Sequence, residues 1–203
     1  KPIIIDTLKK FQKQTMIDAI EVVWLEGWHV RLKAYAEQFG IAKLKYVVSG
    51  GNSSQESIKI GLENLKKICN GEDIIVIHDG IRPMVEDNII TSCIETCKIS
   101  GNGVTAYPVY EQIFETKDGE TTDNYIPRES LRIVQTPQAY KYKEIVDVYT
   151  EGFENNIGIH GSSYANTLMT DMGKKLYFSA GSTKNIKITT KDDIAIFKAM
   201  ISF

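Results

Sequence analysis

Along its whole length the chain changes hydrophobic period. Segments whose apolar residues return every three or four positions are separated by short runs that are apolar throughout or alternate with polar residues. The first pattern lines one stripe of a helix and the second suits a pleated strand, so their interleaving predicts an α/β fold built from strand–helix units. Helices are predicted over residues 2–14, 30–39, 55–68, 86–100, 143–149 and 163–172, with a last one ending near 201. Strands are predicted over residues 20–25, 44–48, 103–109, 176–179 and 186–188. Pro2 opens the first helix, where a missing N–H costs little, and Ile4, Ile5, Leu8 and Phe11 share one face. Residues 73–79 are nearly all apolar until their end, as expected for a central parallel strand covered on both faces, with Asp79 at its carboxyl tip. From about 110 to 140 the period is lost, and Asp118-Gly119 between apolar stretches predicts a hairpin within extended arms and loops. Thr190 and Asp193 have the spacing of a capping box. No repeat, low-complexity tract or linker divides the chain, so residues 1–203 are expected to form one domain.

Charge and cysteine content narrow the function. The 24 Lys and Arg nearly balance 26 Asp and Glu, a formal charge of −2 that supplies no general field for DNA, RNA or an anionic membrane. An anionic ligand must therefore be held locally. Cys69, Cys93 and Cys97 cannot all pair, and no Cys/His cluster has zinc-finger spacing; Cys93 and Cys97 read as small buried helix residues. With no apolar run of roughly 20 residues and no leader pattern, a soluble, cytoplasmic protein is expected.

Three groups of residues can carry chemistry. Ser49-Gly50-Gly51-Asn52-Ser53-Ser54-Gln55-Glu56-Ser57 joins a strand to a helix. Its glycines permit close backbone approach, and the helix start offers free N–H groups to an anion or base edge; a tight turn with a serine cap explains the same residues. His78-Asp79-Gly80-Ile81-Arg82-Pro83 follows the apolar run at 73–79. A carboxylate at a strand's carboxyl end can hold a divalent metal against phosphate oxygens, or simply cap a turn and pair with Arg82. His78, flanked by apolar residues, reads as packed rather than catalytic. Arg128 and Lys187 form a scattered basic group, and by spacing alone Lys187 is a solvated strand lysine.

Taken in order, Gly50-Gly51 with Ser57 and Gly61-Leu62, then His78-Asp79-Gly80-Ile81-Arg82-Pro83, Thr136-Pro137-Gln138 and Asn185-Ile186-Lys187-Ile188-Thr189 resemble the cytidylyltransferases acting on 2-C-methyl-D-erythritol 4-phosphate or ribitol 5-phosphate. The resemblance covers nearly the whole chain. It implies a Rossmann-like, mostly parallel nucleotidyltransferase sheet with helices on both faces, and an extended β-arm, about residues 110–138, through which a homodimer forms. It implies transfer of CMP from CTP to a polyol phosphate, with release of pyrophosphate and with Mg²⁺ as cofactor. Gly50, Gly51 and Ser57 would then lie at the cytosine and ribose, Asp79 at the metal and triphosphate, and Arg82 beside it. Arg128 would hold the polyol phosphate from the partner's arm, Lys187 would face the reacting phosphates, and Thr136 would lie near the substrate. An isoprenoid or a ribitol-based wall or capsule precursor is the implied product.

The sequence departs from that pattern in places. Relatives of this kind open with a strand and a Gly-rich loop carrying Arg and Pro-Lys, whereas Lys1-Pro2 resembles the helix that follows; a segment of roughly 30 residues is expected ahead of it. Ser54 stands where many members have Arg, Glu111-Gln112 replace Asp-Thr, and Tyr164-Ala165 fall where an acidic motif is common. The acceptor-side departures, Glu111-Gln112 and Tyr164-Ala165, place ribitol 5-phosphate slightly ahead of methylerythritol phosphate. The absent loop and Ser54 leave room for a homologue that binds nucleotide and assembles without catalysis. An NAD(P) enzyme is disfavoured by the lack of a Gly-x-Gly-x-x-Gly fingerprint.

Overall fold

The structure, a computed structural model, describes residues 1–160 and 164–202. Helix α1 (Ile3–Lys13) leads into β1 (Ile20–Trp24), α2 (His29–Gln38), β2 (Leu44–Ser49), α3 (Ser54–Asn64), β3 (Ile74–Ile77), α4 (Asp87–Ser100) and β4 (Asn102–Pro108). A small hairpin, β5 (Ile113–Glu115) and β6 (Asn124–Ile126), precedes β7 (Arg132–Lys141). The chain closes with α5 (Tyr142–Asn155), α6 (Ala165–Asp171), β8 (Phe178–Ala180) and α7 (Lys191–Ile201).

The α/β expectation holds, with a mixed sheet. β1 and β2 pair in parallel, and a four-stranded sheet runs β3-β7-β4-β8, in which β4 and β8 are parallel while β7 is antiparallel to both its neighbours. Period-2 alternation explains how helices cover both faces. Ile74 and Val76 pack with Cys93, Cys97 and Ala139 on the α4 side, whereas Ile75 and Ile77 pack with Tyr140, Ile145 and Tyr149 on the α5 side. Cys93 and Cys97 are fully buried, and burial pushes their thiols up to about 11 and 12, so they are packing residues.

Three expectations need correction. β3 is not a central parallel strand: among the described residues it pairs with β7, antiparallel, and its four residues are half-buried. Its continuous apolar run reflects helices on both faces rather than strands on both sides. The stretch up to 138 that the sequence read as extended arms and loops is in part sheet: Arg132–Lys141 is a strand in which Gln135, Thr136, Gln138, Ala139 and Tyr140 are buried. Polar residues and Pro137 disguised it. The ladder to β4 skips from Gln138↔Val104 to Val134↔Ala106, so Pro137 sits in an irregularity where no ladder N–H is needed. Gln138 meanwhile accepts from Tyr140 Oη at 2.8 Å. Finally, residues 186–188 form no strand, although Ile188 N donates to Ile81 O at 2.9 Å.

Local signals held elsewhere. Thr190 and Asp193 form the capping box of α7, and Gly119, at φ 78°, turns the β5–β6 hairpin. The helix over 143–149 extends to Asn155, and that over 163–172 is α6, with Ser163 outside the described residues.

Candidate active site

The site is assembled at the carboxyl end of β3. Asp79 N donates to Thr136 Oγ1 (3.1 Å) and Arg82 N to Asp79 O (3.0 Å), so the turn after the strand is tied to β7 and closed on itself. Arg82 Nε then reaches Asp79 Oδ2 at 2.9 Å, and its Nη1 donates to Asn185 O at 2.8 Å. Asn185, fully buried, is the latch: its Nδ2 donates to Thr136 O (2.8 Å), and its carbonyl also accepts from Gln135 Nε2 (3.0 Å). Segments around residues 79, 136 and 185 are thereby fixed to one another although more than a hundred positions separate the outermost two.

That latch places Lys187. Its Nζ lies 3.6 Å from Asp79 Oδ2 and 5.2 Å from the centroid of the Tyr164 ring. The lysine is thus no solvated strand residue; its side chain is only 28% exposed. Among the described residues Nζ makes no hydrogen bond, so an ammonium with three donors stands in a partly dehydrated crevice with a long ion pair and a ring face as its company. Two cations share one carboxylate. The surplus positive charge, with unused N–H donors, suits a phosphate.

The remaining residues singled out from the sequence fall into three places. Thr136 is buried beneath Asp79, where its hydroxyl positions that residue's backbone. Gly50, Gly51 and Ser57 form a tight loop at the start of α3: Gly51 N donates to Ser57 Oγ (3.1 Å), Ser53 caps the helix through Glu56 N (3.1 Å), and Glu56 Oε2 accepts from Asn52 N (2.6 Å). A Cβ on Gly51 would come within 2.5 Å of Glu56 Cβ, so the loop itself requires that glycine, while one on Gly50 would press on Ser57 Oγ at 2.9 Å and displace its hydroxyl. Arg128 does not join the Asp79 cluster; it is exposed beside the hairpin, donates to Tyr110 O (3.1 Å) and lies 3.5 Å from Glu129 Oε1.

Sequence reasoning missed the polar residues that hold the site together. Gln135 and Asn185 are among them, as is Gln55, whose Nε2 donates to Tyr164 O (3.1 Å) while its Oε1 accepts from Tyr149 Oη (2.6 Å). Gln55 and Asn185 stand inside the Gly50-Gly51 and Lys187 segments already singled out, and that proximity is the signal that could have found them.

His78 is packed as expected. Its Nε2 faces Arg82 O at 3.2 Å, which fixes the proton on that nitrogen, and its ring lies 4.8 Å from Phe11. Burial lowers its pKa from 6.5 to about 4. The folded state then binds fewer protons than the unfolded chain between those values, so stability is lost as pH falls through 6.5 and levels off below about 4. The share from this residue is expected to be about 3 kcal/mol, seen as a shift of urea midpoints across that window that His78→Gln lacks.

With this geometry in view, comparison with known proteins decides the family. The family model for 2-C-methyl-D-erythritol 4-phosphate cytidylyltransferase (IspD) matches residues 1–202. The chain belongs to this cytidylyltransferase family. A ribitol-5-phosphate cytidylyltransferase of Lacticaseibacillus paracasei is 48% identical over 201 residues, covering 99% of this chain and 86% of the relative. A 2-C-methyl-D-erythritol 4-phosphate cytidylyltransferase of Clostridium novyi is 32% identical, covering 98% and 84%. The fold matches the 4-diphosphocytidyl-2C-methyl-D-erythritol synthase structure from Anaerococcus prevotii with a TM-score of 0.87 at 22% identity, over 100% of this chain and 87% of that one. The segments around Asp79, Thr136 and Lys187 on which the sequence resemblance rests are brought together in one cluster by the structure.

Proposed function

We propose that this cytidylyltransferase transfers CMP from CTP to a polyol phosphate, ribitol 5-phosphate before 2-C-methyl-D-erythritol 4-phosphate, and releases pyrophosphate. The observation that carries the reading is the meeting of Asp79, Arg82 and Lys187, with an ammonium whose hydrogen-bond donors are unused among the described residues. In the reaction an oxygen of the acceptor phosphate attacks the α-phosphorus of CTP, the bond from that phosphorus to the bridging oxygen breaks, and pyrophosphate leaves with the electron pair. The attacking oxygen is already ionised, so the barrier is repulsion between anions and charge building at phosphorus rather than proton removal. Lys187 offsets that charge, and Arg82, whose Nε and Nη1 are engaged, holds Asp79 in place. Ribitol 5-phosphate is placed first because of the Glu111-Gln112 and Tyr164-Ala165 departures and the names of the more similar relatives.

Mg²⁺ fits these residues in one manner. No group of three or more His, Cys, Asp or Glu side chains gathers among the described residues, so a cage of protein ligands is absent. A hard cation bound through one carboxylate and the nucleotide's own phosphates needs no such cage, and Asp79 would hold it. Bound there, Mg²⁺ would screen the triphosphate's charge.

The hairpin exposes Tyr110, Phe114 and Tyr125, which supports a homodimer through the arm with Arg128 offered to the neighbouring subunit's acceptor site. Small-molecule substrates and a near-neutral charge support a cytoplasmic location without nucleic-acid or membrane partners.

Pyrophosphate release from CTP, Mg²⁺ and each polyol phosphate tests the reaction; no release with any acceptor would overturn it. A mixture of Lys187→Ala and Arg128→Ala subunits tests the arm. If Arg128 acts across the dimer, mixed dimers carry one intact site and randomly paired subunits recover about a quarter of wild-type sites. Action within one chain recovers none.

A further inference from the structure

Among the described residues the ring of Tyr164 meets the Lys187 ammonium without neutralising it. Its face lies 5.2 Å from Lys187 Nζ, while the one carboxylate paired with that amine among the described residues, Asp79, is already engaged by Arg82 at 2.9 Å. A second carboxylate in the ring's place would cancel the cluster's surplus charge, whereas a π face attracts the ammonium and leaves its charge and its donors available. The backbone that carries the ring is held independently of the lysine, while the residue itself is 44% exposed. Tyr164 O accepts from Gln55 Nε2 (3.1 Å), Thr167 Oγ1 (2.7 Å) and Leu168 N (3.3 Å), so the start of α6 is pinned where the side chain leaves the backbone.

Gln55 gives that pin its meaning. It sits in the first turn of α3, within the segment that carries Gly50, Gly51 and Ser57, and it is buried against Tyr149 Oη. A continuous path therefore runs from the glycine loop through Gln55 to Tyr164, then across the ring to Lys187 and Asp79. The two-stranded and four-stranded sheets share no ladder among the described residues, so this path, through the Gln55 amide and the Tyr164 backbone, ties one half of the site to the other.

We propose that Tyr164 is a positioning residue: its ring face sets the Lys187 ammonium above the reacting phosphates and registers it against the nucleotide loop. This rests on the function proposed above. Losing the ring should therefore lower kcat more than it raises KM for CTP, since Lys187 would be misplaced when charge builds at phosphorus while the loop that binds the base stays intact.

The test compares wild type, Tyr164→Leu and Tyr164→Phe in pyrophosphate release, with Lys187 followed in ¹³C-lysine NMR spectra assigned through Lys187→Ala. The leucine variant is expected to lose about 5–10-fold in kcat with KM for CTP within about twofold, and phenylalanine to recover most of that loss. The Lys187 side-chain protons should carry an upfield ring-current shift in wild type and Tyr164→Phe that disappears in Tyr164→Leu. Unchanged kcat in the leucine variant, an equal loss in both variants, or an unshifted Lys187 signal in wild type would overturn the proposal. Wild type that transfers nothing to any acceptor would defeat the function instead, and the NMR comparison would still decide whether the ring holds the lysine.

Discussion

Replacing Lys187 with alanine is expected to lower kcat for CMP transfer by about 10²–10³-fold, the size of effect seen when one donor aimed at developing charge is removed. Folding should survive. Asp79 keeps its 2.9 Å contact with Arg82 and its backbone bond to Thr136, so the substitution leaves no buried charge without a partner. The lost pair, 3.6 Å long and partly solvated, is worth about 1 kcal/mol or less, a few degrees in Tm for a chain of this size. Steady-state kinetics beside a thermal melt separates the two effects. A Tm loss large enough to explain the activity loss would make Lys187 a structural residue.

The second large effect is on stability and lies behind the site. Gly103, buried on β4, faces α4 with no room for a side chain: a Cβ there would be driven into the carbonyl oxygen of Cys93 and would approach Cys97 N to 3.2 Å. Both obstacles are helix backbone, so relief requires α4 to move off the sheet. Cys93 Sγ, which donates to Gly103 O at 3.2 Å, would move with it. Gly103→Ala is expected to cost about 3 kcal/mol, at the upper end for overpacking, and to lower Tm by roughly 6–12 °C. A neighbour on the same strand, Asn102, ties β4 to the approach to β8 through Lys175 O and Tyr177 N. Disturbance at Gly103 therefore spreads toward the segment that carries Asn185 and Lys187. Chemical denaturation measures it; a loss below about 1 kcal/mol would mean that α4 is less tightly seated than these contacts require.

Periodicity made the helices and most strands legible, because those elements bury one stripe or one face and the sequence must repeat accordingly. β7 escaped for a physical reason: three of its buried positions are Gln135, Thr136 and Gln138, whose amides and hydroxyl are satisfied by Ser182, Asn185, Asp79 and Gln135's own carbonyl. Hydrogen-bonded polar residues can fill a core without leaving a hydrophobic trace. The site shows the same division. Asp79 was readable from its place after an apolar strand, while Lys187 by spacing alone looked solvated, since nothing local to residues 186–188 encodes the latch at Asn185 that turns it inward. The family resemblance supplied what spacing did not. Tyr164, read as a departure on the acceptor side, proves to be in contact with the lysine, a relation carried by residues far apart in sequence.

A double-mutant cycle puts the meeting of Asp79 and Lys187 to its most direct test. Asp79→Asn, Lys187→Ala and the combined variant are assayed for kcat/KM with CTP, Mg²⁺ and ribitol 5-phosphate. If the two side chains serve the same phosphates as one unit, the combined variant should lose far less than the product of the single losses, a coupling of at least about 1 kcal/mol. Losses that multiply would show two residues working independently and would contradict the shared site.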